Sequence, residues 1–253
     1  MQTAQDMIDK VALVTGAGSG IGRAVALAFG RSGASVSVAD IDAVAGTETV
    51  RLLQEEGGRA SFQPCDVSSG EDVRALVDGC VEQFGRLDFA CNVAGIHNPL
   101  PEKLSEADEQ QWDRIIAVNL KGVFLCMKHE VRHMSAQGSG VIVNMASLSG
   151  LLAEPGCYAY VASKHGIVGL TKTAAHDYAD TGVRINAVCP AAIDTPGLQR
   201  SPEEMRQRLR ESTPVGRIGT PDEVAATVMW LCSDLAGFVT GAAIVMDGGV
   251  STT

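Results

Sequence analysis

Short runs of β-branched and small apolar residues alternate with segments of helical period along almost the whole chain. The runs fall at residues 11–15, 35–40, 60–63, 87–92, 141–145, 184–189 and 243–246. Several, such as Val-Ala-Leu-Val and Val-Ile-Val, are nearly continuous apolar stretches, the pattern of strands covered on both faces. Helical segments lie between them at 21–32, 46–56, 72–84, 108–134, 157–179 and 221–233. Strands alternating with crossover helices imply a parallel sheet with right-handed connections. The expectation is an α/β fold, a doubly wound parallel sheet in a three-layer α/β/α arrangement. At 253 residues, with no repeat or linker, residues 1–253 read as a single domain.

One stretch interrupts the alternation. Residues 191–214 follow a late strand, are bounded and punctuated by Pro190, Pro196, Pro202 and Pro214, and hold a short helical segment at 203–211. An excursion at the carboxyl end of such a strand is where doubly wound folds place a substrate lid. The plainer alternative is an ordinary surface loop.

Composition removes several classes of function. A net charge of −10 opposes nucleic acid and anionic membrane surfaces as partners. No apolar run approaches the roughly 20 residues of a membrane span, and no secretory core follows Met1, so a cytoplasmic location is expected. The seven cysteines include no Cys-x-x-Cys pair. They read as small buried hydrophobes, and no metal is expected, zinc included.

Directly after the first strand comes Thr15-Gly16-Ala17-Gly18-Ser19-Gly20-Ile21-Gly22. Strand, glycine turn and helix start bring backbone N–H groups and the positive helix end together, a site suited to a pyrophosphate. The second strand ends at Asp40, whose carboxylate can accept both hydroxyls of an adenosine ribose and would repel a 2′-phosphate. Neither Ser19 nor Ile41 is basic, so NAD is favoured over NADP. Asp66 and Val67, past the third strand, can offer a carboxylate and an amide to an adenine edge. The run Ser68-Ser69-Gly70 behind Asp66 equally suits a turn or helix cap. Asn92-Val93-Ala94-Gly95 closes the fourth strand with small residues that let the chain pass close to a cofactor.

Ser147 lies just past the fifth strand, and Tyr160 and Lys164, four apart on a helix, share one face. With the glycine turn, Asp40 and Asn92–Gly95, this set resembles the short-chain dehydrogenase/reductase family in its subclass of about 250 residues. The resemblance runs from Lys10 to Asp247-Gly248-Gly249. It implies a Rossmann-type sheet and a cofactor site at Gly16, Ser19, Gly20, Ile21, Gly22, Asp40, Asp66, Val67, Asn92, Ala94 and Gly95. It also implies cofactor contacts from Tyr160, Lys164, Pro190, Ile193 and Thr195. Asn119, Ser147, Tyr160 and Lys164 then correspond to a catalytic tetrad. Tyr158 does not compete, because Ala162 stands four residues on. Two departures are Val93, where a second asparagine is frequent, and Ala191, where a glycine usually follows the proline.

The implied reaction interconverts a secondary alcohol and a ketone, with Tyr160 as acid/base, Lys164 favouring its phenolate, and Ser147 holding the substrate oxygen. Asn119 is expected to hold a water linking Lys164 to solvent. The alternatives are an NADPH-dependent ketoreductase acting on carrier-linked thioesters, which Asp40 and the acidic surface oppose, and a non-catalytic NAD-binding sensor, which the complete tetrad opposes. His97 is either a substrate contact or an exposed loop histidine. Ser149, Leu151, Leu198, Met205 and Leu209 are expected at the substrate rim, with Leu152 beside Leu151 and the lid arginines turned mostly away, giving a neutral, fairly apolar substrate. The two long helices carry more apolar surface than one sheet face covers; the resemblance implies that they pair with their symmetry mates and that the C-terminal strand and the helix at 221–233 supply a second two-fold contact, giving a homotetramer.

Overall fold

The computed structural model describes residues 7–98 and 101–252; the start of the chain, where a secretory core would begin, lies outside them. Among the described residues seven strands form: β1 (Val11–Thr15), β2 (Ser35–Asp40), β3 (Ala60–Pro64), β4 (Phe89–Asn92), β5 (Gly140–Met145), β6 (Val183–Pro190) and β7 (Ala243–Met246). All pair in parallel, in the order β3-β2-β1-β4-β5-β6-β7. The apolar run at 87–92 becomes strand only from Phe89. Just before it, the Asp88 carboxylate accepts from the Val11 N–H at 2.9 Å and pairs with Arg86 and Lys10.

Helices cover both faces. Helices α1 (Gly20–Arg31), α2 (Ala43–Glu55) and α9 (Pro221–Leu231) bury Val25, Phe29, Leu53, Val228 and Leu231 on one side. Helices α3 (Gly70–Phe84), α5 (Gly122–Gln137) and α6 (Tyr158–Asp177) bury Leu76, Val131, Met134 and Ile167 on the other. All seven cysteines are buried and unpaired, as small apolar side chains in these layers. Helices α2 and α3 begin earlier than their apolar period suggests, because Asp42 and Ser69 cap them with side-chain oxygens on first-turn N–H groups.

The segment 108–134 is not one regular helix. It divides into α4 (Glu109–Ile115), a π-helical turn (Ile116–Lys121) and α5. Asn119 sits inside the π turn and is fully buried. Widening the helix by one residue frees a backbone carbonyl and redirects side chains, a device frequent at functional sites.

The excursion at 191–214 carries α7 (Pro196–Gln199) and α8 (Glu203–Ser212). Ala191 is unstrained: among the described residues Asp9 is the one non-glycine with a left-handed φ. Its N–H donates to the Met246 carbonyl at 2.9 Å. The alanine therefore carries no left-handed strain in this turn.

Candidate active site

The carboxyl ends of β1, β4, β5 and β6 meet at the point where the strand order reverses, the ligand-binding crevice of a doubly wound sheet. Two glycines show why the β1–α1 turn must be bare. Gly16 has φ +64°, and a Cβ there would lie 2.7 Å from the Ala94 Cα. A Cβ on Gly22 would lie 2.1 Å from the Gly16 carbonyl oxygen, so α1 could not enter where it does. The Ser19 side chain makes no capping bond to α1. That leaves the first-turn N–H groups uncapped, the donor set a pyrophosphate takes up. Thr195 and Gly20 face each other, bringing the loop after β6 against the glycine turn.

Asp40 already has work. One carboxylate oxygen accepts from the Gly18 N–H at 2.8 Å and the other from the Asp42 N–H at 2.9 Å. Arg23 braces the same turn from beneath, donating to the carbonyls of Gly18 and Ala45 and to the Thr49 hydroxyl. The sequence reading missed Arg23; an arginine directly behind the glycine turn was the available signal.

Two expected cofactor contacts are turned to other partners. The Asp66 carboxylate accepts from the Ser68 N–H and hydroxyl, which is its turn-forming alternative. The Asn92 side chain points under the sheet, where its amide donates to Glu130 and Asn144, both at 3.0 Å. Only the Asn92 backbone remains for the cleft. Glu130 is wholly buried, and desolvation pushes its carboxyl up to about 8. Thr15 holds the next turn by accepting from the Val93 and Ala94 N–H groups at 3.1 and 3.3 Å.

The four tetrad candidates converge. Ser147 caps the short turn Leu148–Gly150, its hydroxyl accepting from the Ser149 N–H at 3.1 Å, and stands close enough to Tyr160 to favour its phenolate. The Lys164 ammonium lies 5.5 Å from the centre of the Tyr160 ring and donates to the Met145 carbonyl at 2.8 Å. Burial pushes the Tyr160 phenol up to about 12 and brings Lys164 down to about 8. Asn119 does not offer an open side chain for a water. Its oxygen accepts from the Ile96 N–H, and its amide donates to the Ile96 carbonyl and the Ser163 hydroxyl. It clamps the strand-end loop to α6.

Beside Tyr160 stands a polar group that the sequence reading found only in part. The His97 ring packs on the Tyr160 ring with centroids 4.2 Å apart. The His97 Nε2 lies 3.1 Å from Glu154, and Ser149 donates to the other Glu154 oxygen at 2.5 Å. Glu154 was missed because nothing in its own neighbourhood of sequence marks it; it meets His97 only through the fold. Cys157 completes a set of three ligand-type side chains whose donor atoms lie within 4.8 Å of one another.

The rim differs from its expected form. Leu151 and Leu152 are exposed and Leu198 and Leu209 half-buried. Met205 is 47% exposed, whereas the Arg206 side chain is only 26% exposed. Arg206 pairs with Glu203, and its Nε is buried with no hydrogen-bond partner among the described residues. Helix α8 is thus rotated from the expected apolar stripe, with Arg206 rather than Met205 on its covered side. Ile193 is buried and bridges to Gly219, which anchors the base of the lid.

Residues 16–251 match the family model described as enoyl-(acyl carrier protein) reductase. The chain is 43% identical to a cyclohexanol dehydrogenase of Acinetobacter over 244 residues, 96% of each chain. It is 42% identical to a cis-4-hydroxycyclohexanecarboxylate dehydrogenase of Sinomonas cyclohexanicum, covering 95% of this chain and 96% of that one. The crystal structure of levodione reductase superposes with a TM-score of 0.93 at 35% identity, over 98% of this chain and 99% of that one.

The chain belongs to the short-chain dehydrogenase/reductase family.

As a short-chain dehydrogenase/reductase it is an oxidoreductase of the alcohol dehydrogenase and ketone reductase type, and the family's reactions use a nicotinamide cofactor. No helix among its described residues is long and apolar enough to cross a membrane.

Proposed function

We propose that this short-chain dehydrogenase/reductase oxidises a cyclic secondary alcohol with NAD⁺, or reduces the matching ketone with NADH. The convergence of Ser147, Tyr160 and Lys164 at the crevice carries this reading. Cyclohexanol and hydroxycyclohexanecarboxylate, named for two relatives, support the ring. Asp40 supports NAD, since its carboxylate at the end of β2 would repel a 2′-phosphate, and the nearby Arg23 guanidinium is engaged with turn carbonyls.

The residues present fit a dinucleotide: the turn around Gly16 and Gly22 has no room for a Cβ, the α1 N–H groups are uncapped, and Asp40 stands at the ribose end. Pro190, Ile193 and Thr195 would hold the nicotinamide end, and Val67 the adenine end. When bound, the cofactor supplies the two-electron acceptor at the carbinol carbon. Ser147 then holds the substrate oxygen, and Tyr160 takes its proton. Free of cofactor, burial keeps the phenol protonated. The Lys164 ammonium and the positive charge of the oxidised ring both favour phenolate when the site fills.

Phe238, Leu235, Val245 and Trp230, on and around the C-terminal strand and α9, expose apolar side chains, as do Trp112 on α4 and Phe124 on α5. These two groups support a homotetramer. Seven buried free thiols suit a reducing cytoplasm.

The test is reduced-cofactor formation at 340 nm with NAD⁺ and with NADP⁺, over cyclic alcohols, diols, hydroxysteroids and 3-hydroxyacyl thioesters. Tyr160→Phe is expected to bind NADH nearly as the wild type does and to lose turnover by about 10²-fold or more. Equal use of NADP⁺ would remove the Asp40 reading, and substantial turnover by Tyr160→Phe would remove the acid/base assignment.

A further inference from the structure

Beside the tetrad, the crevice holds a group of side chains that the proposed reaction does not use. The ligand atoms of His97, Glu154 and Cys157 lie within 4.8 Å of one another. Among the described residues it is the one group of three histidine, cysteine or acidic side chains so placed. A nitrogen, a carboxylate oxygen and a sulfur make the mixed donor set that suits zinc, whereas Mg²⁺ and Ca²⁺ take oxygen and would leave two of the three unused. The fold assembles the group from separate segments, so no ligand spacing in the sequence marks it.

All three side chains are held in place by their surroundings. The Cys157 N–H donates to the Glu154 carbonyl at 3.2 Å, closing a tight turn that brings the two side chains together. Gly156, at φ +81°, lets this turn pack on the neighbouring segment, where a Cβ would lie 2.6 Å from Pro101. His97 comes from the loop after β4, which Asn119 clamps through Ile96. Its Nδ1 faces the Asn98 carbonyl at 3.0 Å, an acceptor only, so the N–H belongs there. Nε2 is left facing a Glu154 oxygen at 3.1 Å, two acceptors that a cation between them, proton or metal, reconciles. Ser149 donates to the other Glu154 oxygen. A backbone carbonyl on the far ring nitrogen and a hydroxyl on the carboxylate are the outer contacts that orient zinc ligands. Zinc bonds of about 2.0–2.3 Å set neighbouring ligand atoms roughly 3.3–3.8 Å apart, so the group needs to close by about 1 Å at most.

We propose that His97, Glu154 and Cys157 form an inhibitory Zn²⁺ site at the rim of the crevice. As the ion binds, the Cys157 thiol loses its proton to water. Thiolate and carboxylate then balance the two charges of the ion, and the site stays neutral beside the Lys164 ammonium. Water takes the fourth position, as in zinc sites with three protein ligands. The His97 side chain, 48% exposed, gives the ion its way in, while Cys157 is buried. The imidazole that takes the ion is the one packed on the Tyr160 ring, with centroids 4.2 Å apart. Once coordinated it can no longer shift to admit an alcohol. The inhibition rests on the acid/base reading of Tyr160; the binding does not.

The enzyme without added cofactor is titrated with Co²⁺, a coloured stand-in for zinc, and then with Zn²⁺ in competition. Wild type is expected to bind one Co²⁺ per chain with a thiolate charge-transfer band that Zn²⁺ abolishes. Cys157→Ser should lose that band. Ser149→Ala, which removes only an outer contact, should weaken binding by about tenfold, and His97→Gln by more. In the cofactor-reduction assay Zn²⁺ should raise the KM for alcohol, and a chelator should restore it. Cys157→Ser, referred to its own metal-free rate, should need about tenfold or more Zn²⁺ for the same inhibition. A wild type with no thiolate band, or a Cys157→Ser or His97→Gln enzyme that binds Co²⁺ as the wild type does, overturns the site. Binding without a change in KM overturns the inhibitory role. A thiolate band in an enzyme that turns over no alcohol removes the proposed function and leaves the zinc site standing.

Discussion

The cofactor side of the crevice and the lid side are built on opposite terms. Around the β1–α1 turn, backbone meets backbone at distances that admit no side chain, and Asp40, Arg23 and Thr15 tie the loops to one another. Around α8, ion pairs such as Glu203 with Arg210 lie at the surface, and none of the helix's residues is fully buried. One side is fixed by excluded volume, the other by a helix that can roll at small cost. In the proposed function the first would hold the cofactor, and the second is where substrate choice would change without disturbing the fold.

The contrast is broken most severely at Gly22. Gly22→Ala places a methyl group on the Gly16 carbonyl, and overpacking of this kind costs about 1–3 kcal/mol or more. NADH affinity should collapse, and the thermal midpoint should fall by several degrees; a variant that binds NADH normally would show the turn to be as pliable as the lid.

Glu130, beneath the cofactor side, sharpens the same point through pH. Its folded-state carboxyl is raised to about 8 from an ordinary value near 4.5. The folded state therefore holds a proton that the unfolded chain releases across that window. Stability should be highest below it, fall as pH rises from the unfolded value toward the folded one, and level off above, by on the order of 1 kcal/mol per pH unit at most. Glu130→Gln keeps an acceptor for Asn92 and loses this dependence, so melting curves of the two proteins should diverge with rising pH, with the variant more stable near neutrality.

Asp40→Ala removes the two N–H bonds that shape the turn and, with them, the proposed ribose contact. NAD should bind about tenfold or more weakly, and the preference over NADP should narrow. A thermal midpoint that drops even with no cofactor added would separate the turn-holding role from the ribose role.

The smallest effect is expected at the lid. Arg206→Leu should change kcat/KM by a few-fold, raising it for a neutral cyclic alcohol and lowering it for a hydroxy acid of like size, in keeping with about 1 kcal/mol for an exposed charge contact. Equal changes for both substrates would mean that Arg206 braces α8 and does not sense charge.

This division also explains what could be read from sequence. The strands, the glycine turn and the Tyr160–Lys164 pair announce themselves, because burial on both faces, steric necessity and helical spacing all leave a local pattern. Arg23 leaves only its place directly behind the glycine turn, and Glu154 leaves nothing, since its partner His97 lies far away in sequence. The π turn at Asn119 hides inside an unbroken helical period, and the clamp on Ile96 that accompanies it is a tertiary contact. The rotation of α8 was misread for a related reason. Met205 and Leu209 form a plausible apolar stripe, but a short surface helix rich in charge has no buried face strong enough to enforce it. Asn92 and Asp66 had the expected positions, but their side chains were drawn to nearer hydrogen-bond partners.

The strand order has a consequence for the chain as it is made. β1, the first strand synthesised, ends up inside the sheet, flanked by β2 on one edge and β4 on the other. Its pairing with β2 is available early, but its other edge stays bare until Phe89–Asn92 has emerged, roughly several seconds later at ribosomal speed. During that interval Val-Ala-Leu-Val-Thr is an open, apolar template of the kind that recruits foreign strands. The nascent protein therefore carries this open edge before any residue of the tetrad has been made.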